Sequence, residues 1–243
     1  MKALLLKEIR SFLSSLIGYI VMAIFLLMIS LFMWVFPGEY NTLESGFANI
    51  DTLFLIAPWV FMFLIPAITM RSFSEERRTG TIEMLLTRPI TDFQIVFAKY
   101  VGGLVLVAIS LIPTLLFFAT IYYLGDPVGN IDTGATWGSY IGLLFLGSAY
   151  VSIGIFASSI TPNQVVSFLV AIILSFFMFI GFESIGSFNW FGDLDTFIIN
   201  LGLNEHYKSL RRGVVDSRDV IYIVVVSLFF LFSTRLILQS RRW

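Results

Sequence analysis

Residues 133–182 read TGATWGSYIGLLFLGSAYVSIGIFASSITPNQVVSFLVAIILSFFMFIGF, a run without one charged side chain. A helix rises about 1.5 Å per residue, so a hydrocarbon layer about 30 Å thick is crossed by about 20 residues. The run is too long for one crossing and long enough for two. Thr161-Pro162-Asn163-Gln164 divides it. Proline opposes helical backbone at the residue before it, and the polar cluster around it reads as a turn.

Four further apolar stretches lie outside this run: Ile17–Phe36, Thr52–Met70, Tyr100–Leu124 and Val220–Leu238. The third is long enough to tilt or to project beyond the hydrocarbon. Six spans result, and an all-α integral membrane protein is expected, a six-transmembrane-helix bundle forming one domain over 1–243. Composition agrees: 58% of residues are hydrophobic and 13% charged, where a soluble domain carries about 25% charged residues. Twenty-six phenylalanines suit lipid-facing and interhelical packing. The net charge of −1 says little about partners, and the absence of cysteine excludes disulfides and thiolate chemistry. A cleaved leader is not expected. The first apolar run exceeds the about 7–15 residues of a signal-peptide core, and Pro37-Gly38-Glu39-Tyr40 lacks a small-x-small site.

Six spans put both termini on one side. Lys2, Lys7, Arg10, Arg71, Arg77, Arg78, Arg88, Lys99, Arg235, Arg241 and Arg242 fall on that side, against Lys208, Arg211, Arg212 and Arg218 on the other. The positive-inside rule therefore predicts cytoplasmic termini and a cytoplasmic 71–93 loop, with 184–218 as the main extracytoplasmic loop. A re-entrant piece is conceivable near Phe182–Phe197.

Residues 1–16 are expected to form an interfacial amphipathic helix. Lys7, Glu8, Arg10, Ser11, Ser14 and Ser15 share one sector, and Leu4, Leu5, Ile9, Phe12 and Leu13 take the rest. Pro58 and Pro66 in the second span and Pro113 in the third each remove a backbone hydrogen bond, which neighbours must replace. Gly138, Gly142, Gly147 and Gly154 in the fourth span would let helix backbones approach closely.

Enzyme chemistry finds no support. The sequence contains no G-x-x-x-x-G-K-[ST], no H-E-x-x-H and no G-x-S-x-G. The single histidine, His206, falls outside the spans, so neither a metal cluster nor a Ser–His pair can assemble within them. No catalytic, metal or cofactor residue is assigned. The span interiors also lack the ionisable residues of proton-coupled carriers, so any transport would draw its energy from elsewhere.

The most informative segment joins spans two and three: Arg71-Ser72-Phe73-Ser74-Glu75-Glu76-Arg77-Arg78-Thr79-Gly80-Thr81-Ile82-Glu83-Met84-Leu85-Leu86-Thr87-Arg88-Pro89. It reads as a helix, a break and a second short helix. Gly80 suits the left-handed end of the first. Thr81 suits the cap of the second, with Glu83 near its positive end. Pro89 stops that helix, and Thr91-Asp92-Phe93-Gln94 forms a capping-box pattern for the third span. Ile82, Leu85 and Leu86 share one apolar face. That face suits a groove on another protein, and equally well the chain's own interfacial helix.

Glu75-Glu76-Arg77-Arg78-Thr79-Gly80-Thr81-Ile82-Glu83-Met84-Leu85-Leu86 resembles the cytoplasmic coupling segment of type-2 ABC transporter permeases. The similarity extends over the chain: interfacial helix, six spans, long first cytoplasmic loop and large outer loop. The outer stretch His206–Asp219 resembles that of gliding-motility-associated permeases of the GldF type. Asn204, just before it, and Gly213 would cap and end a short helix, and Asp216 or Ser217 would cap the sixth span.

The resemblance implies a membrane-spanning permease subunit of an ATP-driven exporter in the bacterial inner membrane. An ABC ATPase subunit and a second permease subunit, identical or related, would be its partners, with the lipid bilayer around it and no nucleic acid. ATP would bind the partner and none of this chain. Glu75, Glu76, Arg77, Gly80, Thr81, Ile82, Glu83, Leu85 and Leu86 would be the ATPase-coupling residues, in gliding motility or secretion. A non-transporting scaffold that passes ATPase-driven work to a surface apparatus shares the same segment. Leu85→Asp should release the ATPase while leaving membrane insertion intact, because it places an unpaired charge on the apolar face. Unchanged co-purification of the ATPase with that variant would remove the docking role.

Overall fold

The computed structural model describes residues 2–86, 90–188, 192 and 194–240, with backbone alone at 2, 3, 17 and 84–86. From the amino end, α1 (Lys2–Leu13) turns into α2 (Leu16–Ser30) through a short bend. The Ser15 hydroxyl accepts from the Gly18 N–H (3.1 Å) to cap α2, and a π-turn over Leu31–Val35 extends it. α3 (Asp51–Thr69) leads to the short helices α4 (Ser74–Arg78) and α5 (Thr81–Leu86). α6 (Asp92–Leu111) opens on the expected capping box. The Thr91 hydroxyl accepts from the Gln94 N–H (3.3 Å), and the Gln94 side chain accepts from the Thr91 N–H (3.1 Å).

Pro113 sits in a 3-10 turn over Ile112–Thr114, after which α7 (Leu115–Leu124) completes the crossing. α8 (Thr133–Ile160) is capped by Asp132 and α9 (Gln164–Phe176) by Asn163, so Thr161-Pro162-Asn163 is the turn its composition requires. A π-turn (Phe177–Gly181) joins α9 to α10 (Phe182–Ser187). α11 (Leu194–Ile199), α12 (Leu203–Arg211) and α13 (Ser217–Ser240) follow.

Among the described residues there is no strand. Six helical runs are long and apolar enough to cross a membrane: 18–35, 51–78, 92–124, 133–160, 164–187 and 217–240. These match the six expected spans. The third helix begins at Asp92, as its capping box predicts, eight residues before the charge-free stretch that starts at Tyr100, so Lys99 lies inside the helix. Pro89, Arg88, Asp193, Arg241, Arg242 and the side chains of Lys2, Leu85 and Leu86 lie outside the described residues.

α8 is the centre of the bundle, touching α3, α6, α9, α12 and α13. Its glycines explain the closeness of these contacts. A Cβ on Gly154 would lie 2.0 Å from the Thr69 hydroxyl, and one on Gly142 would lie 2.5 Å from Leu210 Cβ. At Gly138 it would meet the Gly213 carbonyl oxygen at 2.2 Å. The glycine track thus seats α3 and α12 of the same chain. Apolar side chains face outward on the other helices, such as Ile20, Ile24 and Leu27 on α2 and Val165, Leu169 and Ile173 on α9. Without water outside, such exposure needs no compensation.

Asn204 departs from its expected role. Gly202 holds the cap position of α12, and Asn204 lies within the helix, where its side chain donates to Glu183 Oε2 (2.6 Å). Gly138→Ala is expected to destabilise the protein by about 1–3 kcal/mol, since the obstacle is backbone and cannot rotate away. The thermal midpoint of the detergent-solubilised protein measures this.

Candidate functional site

The end of the bundle carrying α1 and the last turns of α13 also carries α4 and α5. Within α4, Glu75 and Glu76 stand in the first turn and Arg77 and Arg78 in the last, the arrangement favoured by the helix dipole. Thr79 folds its hydroxyl onto the Glu75 carbonyl (2.8 Å), and Gly80 breaks the helix with φ +72°. α5 begins at Thr81 itself, whose hydroxyl lies 3.0 Å from that of Thr79 and 3.4 Å from the Glu76 carbonyl. Gly80, Thr81 and Glu83 are exposed, while Glu75, Arg77 and Ile82 are half-buried, with Ile82 against the apolar core.

Glu76 turns inward and is buried. It meets Lys99, whose side chain is only 1% exposed. The Lys99 ammonium lies 3.0 Å from Glu76 Oε1, 2.9 Å from Glu8 Oε1 and 2.6 Å from the Ser72 carbonyl. The ammonium thus donates to Glu8 and to the Ser72 carbonyl, and Glu76 adds a second carboxylate as an ion pair. The Phe73 ring closes one side, with the ammonium 4.9 Å from its centroid. Lys7 reaches Glu76 Oε1 from outside at 3.1 Å and is 59% exposed. Glu76 Oε2 is buried without a hydrogen-bond partner among the described residues. A cavity of about 340 Å³ lies between α1, α4 and α6, lined by these charges together with Ile68 and Leu106. Gly102 makes the approach of α1 possible, because a Cβ there would come within 3.2 Å of Glu8 Cβ.

From sequence, Lys99 is a basic residue on one side of the membrane and Lys7 is that and a member of the polar face of the 1–16 helix. Neither the pairing of Lys99 with Glu8, 91 positions away, nor the inward turn of Glu76 is legible in the sequence. The available signal was that Lys99 follows the apolar run Ile95-Val96-Phe97-Ala98 after a capping box, which places it within a helix.

The opposite end is held by different chemistry. Pro58 deprives the Phe54 carbonyl of its helical donor, and the Tyr207 hydroxyl donates to that carbonyl at 2.8 Å. Burial pushes the Tyr207 phenol above its ordinary pKa, which keeps it a donor. Ser139 donates to the Arg211 carbonyl (2.7 Å), joining α12 to α8. His206 stacks on Tyr222 with ring centroids 3.9 Å apart, its Nδ1 2.8 Å from Asp219 and its Nε2 2.9 Å from the Asn200 carbonyl. Lys208 pairs with Glu205 (2.7 Å) and Glu183 (3.0 Å), which raise its pKa. Asp216 accepts from the Arg218 N–H (2.9 Å) at the start of α13. These residues form one clasp over α8 and α13.

Residues 2–190 match the family model described as ABC-2 family transporter protein. The chain belongs to this family. No curated protein matches it. The ABC-2 match covers the Lys99 cluster, α4 and α5, and ends before α11, so α12 and the start of α13, which carry most of the clasp, lie beyond it. An ABC-2 protein is the permease component of an ABC transporter, a membrane part whose family implies a separate ABC ATPase partner.

Removing one member of a buried ion pair costs about 3–5 kcal/mol, whereas a largely exposed pair contributes about 0–1 kcal/mol. Lys99→Met should therefore lower stability by about 3–5 kcal/mol and Lys7→Met by less than about 1 kcal/mol. Unfolding of both variants in one detergent checks the contrast. Equal losses would contradict the assignment of Lys99 as the buried anchor.

Proposed function

We propose that this permease is the membrane-spanning subunit of an ATP-driven exporter and that its ATPase docks on α4 and α5. The observation that carries this reading is the local geometry around Gly80. Its φ of +72° turns the chain from a charged short helix into a second one whose first turn exposes Thr81 and Glu83. A rigid, exposed break at the end of a long helix is a surface that a partner can push. Glu75, Arg77, Gly80, Thr81, Ile82, Glu83, Leu85 and Leu86 form the docking segment, and Glu76 ties it to the bundle.

The excess of basic residues at this end supports a cytoplasmic placement of both termini. That is the side on which an ATPase of the bacterial inner membrane would find ATP. A second permease subunit, identical or related, would complete the transporter. The outer stretch His206–Asp219 supports the narrower reading, a GldF-type permease serving gliding motility or secretion. ATP binding must favour one of two arrangements of the bundle, since a ligand shifts an equilibrium only through differential affinity.

Proteoliposomes containing this chain and its ATPase should hydrolyse ATP faster than the ATPase alone and should move a compound across the bilayer. Stimulated hydrolysis with no translocated compound would instead favour a scaffold that passes mechanical work to a surface apparatus. Absence of stimulation would overturn the docking assignment.

A further inference from the structure

Lys99 draws its three oxygens from three separate segments: Glu8 on α1, Ser72 in the turn after α3, and Glu76 on α4. Lys7 adds a second tie from α1 to Glu76. Two neighbouring residues of α1 therefore grip the same cluster, Glu8 through Lys99 and Lys7 through Glu76. The backbone between α3 and α4 is a short turn, which by itself could bend. The buried ammonium opposes that freedom, because displacing any one segment would strip an oxygen from a charge whose side chain is only 1% exposed.

We propose that Lys99 is a positioning residue that clamps α1 and the docking segment to α6, so that α1, α4 and the first turns of α6 move as one lever. This inference rests on the reading that the ATPase docks on α4 and α5. The push delivered there reaches α6 through the Lys99 ammonium as well as along the chain. It also reaches α1, whose close contact with α6 at Gly102 makes it part of the moving body. In this arrangement α1 is a mechanical element of the transporter, beyond any role as a surface anchor.

The chain contains no cysteine, so label sites can be introduced without removing any. Ser11 on α1 and Arg78 on α4 are both exposed. Spin labels on Ser11→Cys and Arg78→Cys, in the complex of the full chain with its ATPase, report the distance between the two helices. The inference expects the same distance with and without trapped nucleotide. The double variant Glu8→Gln, Lys99→Met removes one charge of each sign and leaves Glu76 paired with Lys7. It should insert and bind the ATPase as the native chain does, yet show ATPase stimulation reduced about fivefold or more, the low end of ordinary allosteric coupling. Its Ser11–Arg78 distance should then change when nucleotide is trapped.

Lys99→Arg, which keeps the charge and the donors, should retain stimulation. A nucleotide-dependent distance in the native chain, or full stimulation in the double variant, would overturn the lever. If the double variant fails to insert, the native-chain distance and the Lys99→Arg result decide the question. An ATPase that never co-purifies with the native chain overturns the docking reading and this inference together. An ATPase that docks on a chain whose α1 moves independently overturns this inference alone.

Discussion

Lys99 is a charge that the fold must satisfy before anything near it can settle. Taking an ammonium out of water costs several kcal/mol even after relaxation, and only well-placed oxygens repay that cost. Its side chain is 1% exposed, and its oxygens come from α1, from the turn after α3 and from α4. Each of those segments is thereby held in one position relative to α6. The Phe73 ring and the small surface of Gly102 follow from the same requirement, since both let the surrounding elements close over the charge. The local architecture at this end of the bundle is the set of contacts that makes a buried lysine tolerable.

The cost of leaving a polar group unpaired away from water also shapes the other end, there through the backbone. Proline at position 58 leaves the Phe54 carbonyl without its helical donor, and Tyr207 supplies one from α12. That single hydrogen bond gives a proline inside a membrane helix a structural use: it becomes the receptor for a helix outside the spans. Around it, Gly138 and Gly142 give α12 room to lie on α8, and His206, Asp219 and Tyr222 tie α12 to α13. Between the two ends, α8 is the common core. Its small residues allow α3 and α12 to approach closely, which dispersion packing in a hydrocarbon solvent requires.

The two ends therefore differ in what they could do. One is a charged, partly hollow junction where short helices project beyond a long span. The other is a closed clasp of aromatic rings and side-chain hydrogen bonds. The proposed docking would use the first as the place where the ATPase partner implied by the ABC-2 family acts. The clasp is consistent with a part that keeps the far ends of the spans in register while the junction is displaced.

Span number, span position and the helix breaks were legible in the sequence because they depend on local properties. Hydrocarbon thickness sets the length of an apolar run, and Thr161-Pro162-Asn163 and Gly80 act on their own backbone. The capping box at Thr91–Gln94 and the cap at Asp216 were readable for the same reason. The contacts were not legible. Nothing local to Glu76 says that it turns inward, and nothing local to Asn204 says that it pairs with Glu183 instead of capping α12. The capping box already placed Lys99 in a helix, but nothing local to it says that the side chain is buried against Glu8 and Glu76. The sequence by itself determined a six-span membrane protein with a jointed segment between its second and third spans. Only the tertiary structure decided which charges are buried and which segments they bind together, because ion pairing across 91 positions depends on how helices pack and not on any period within them.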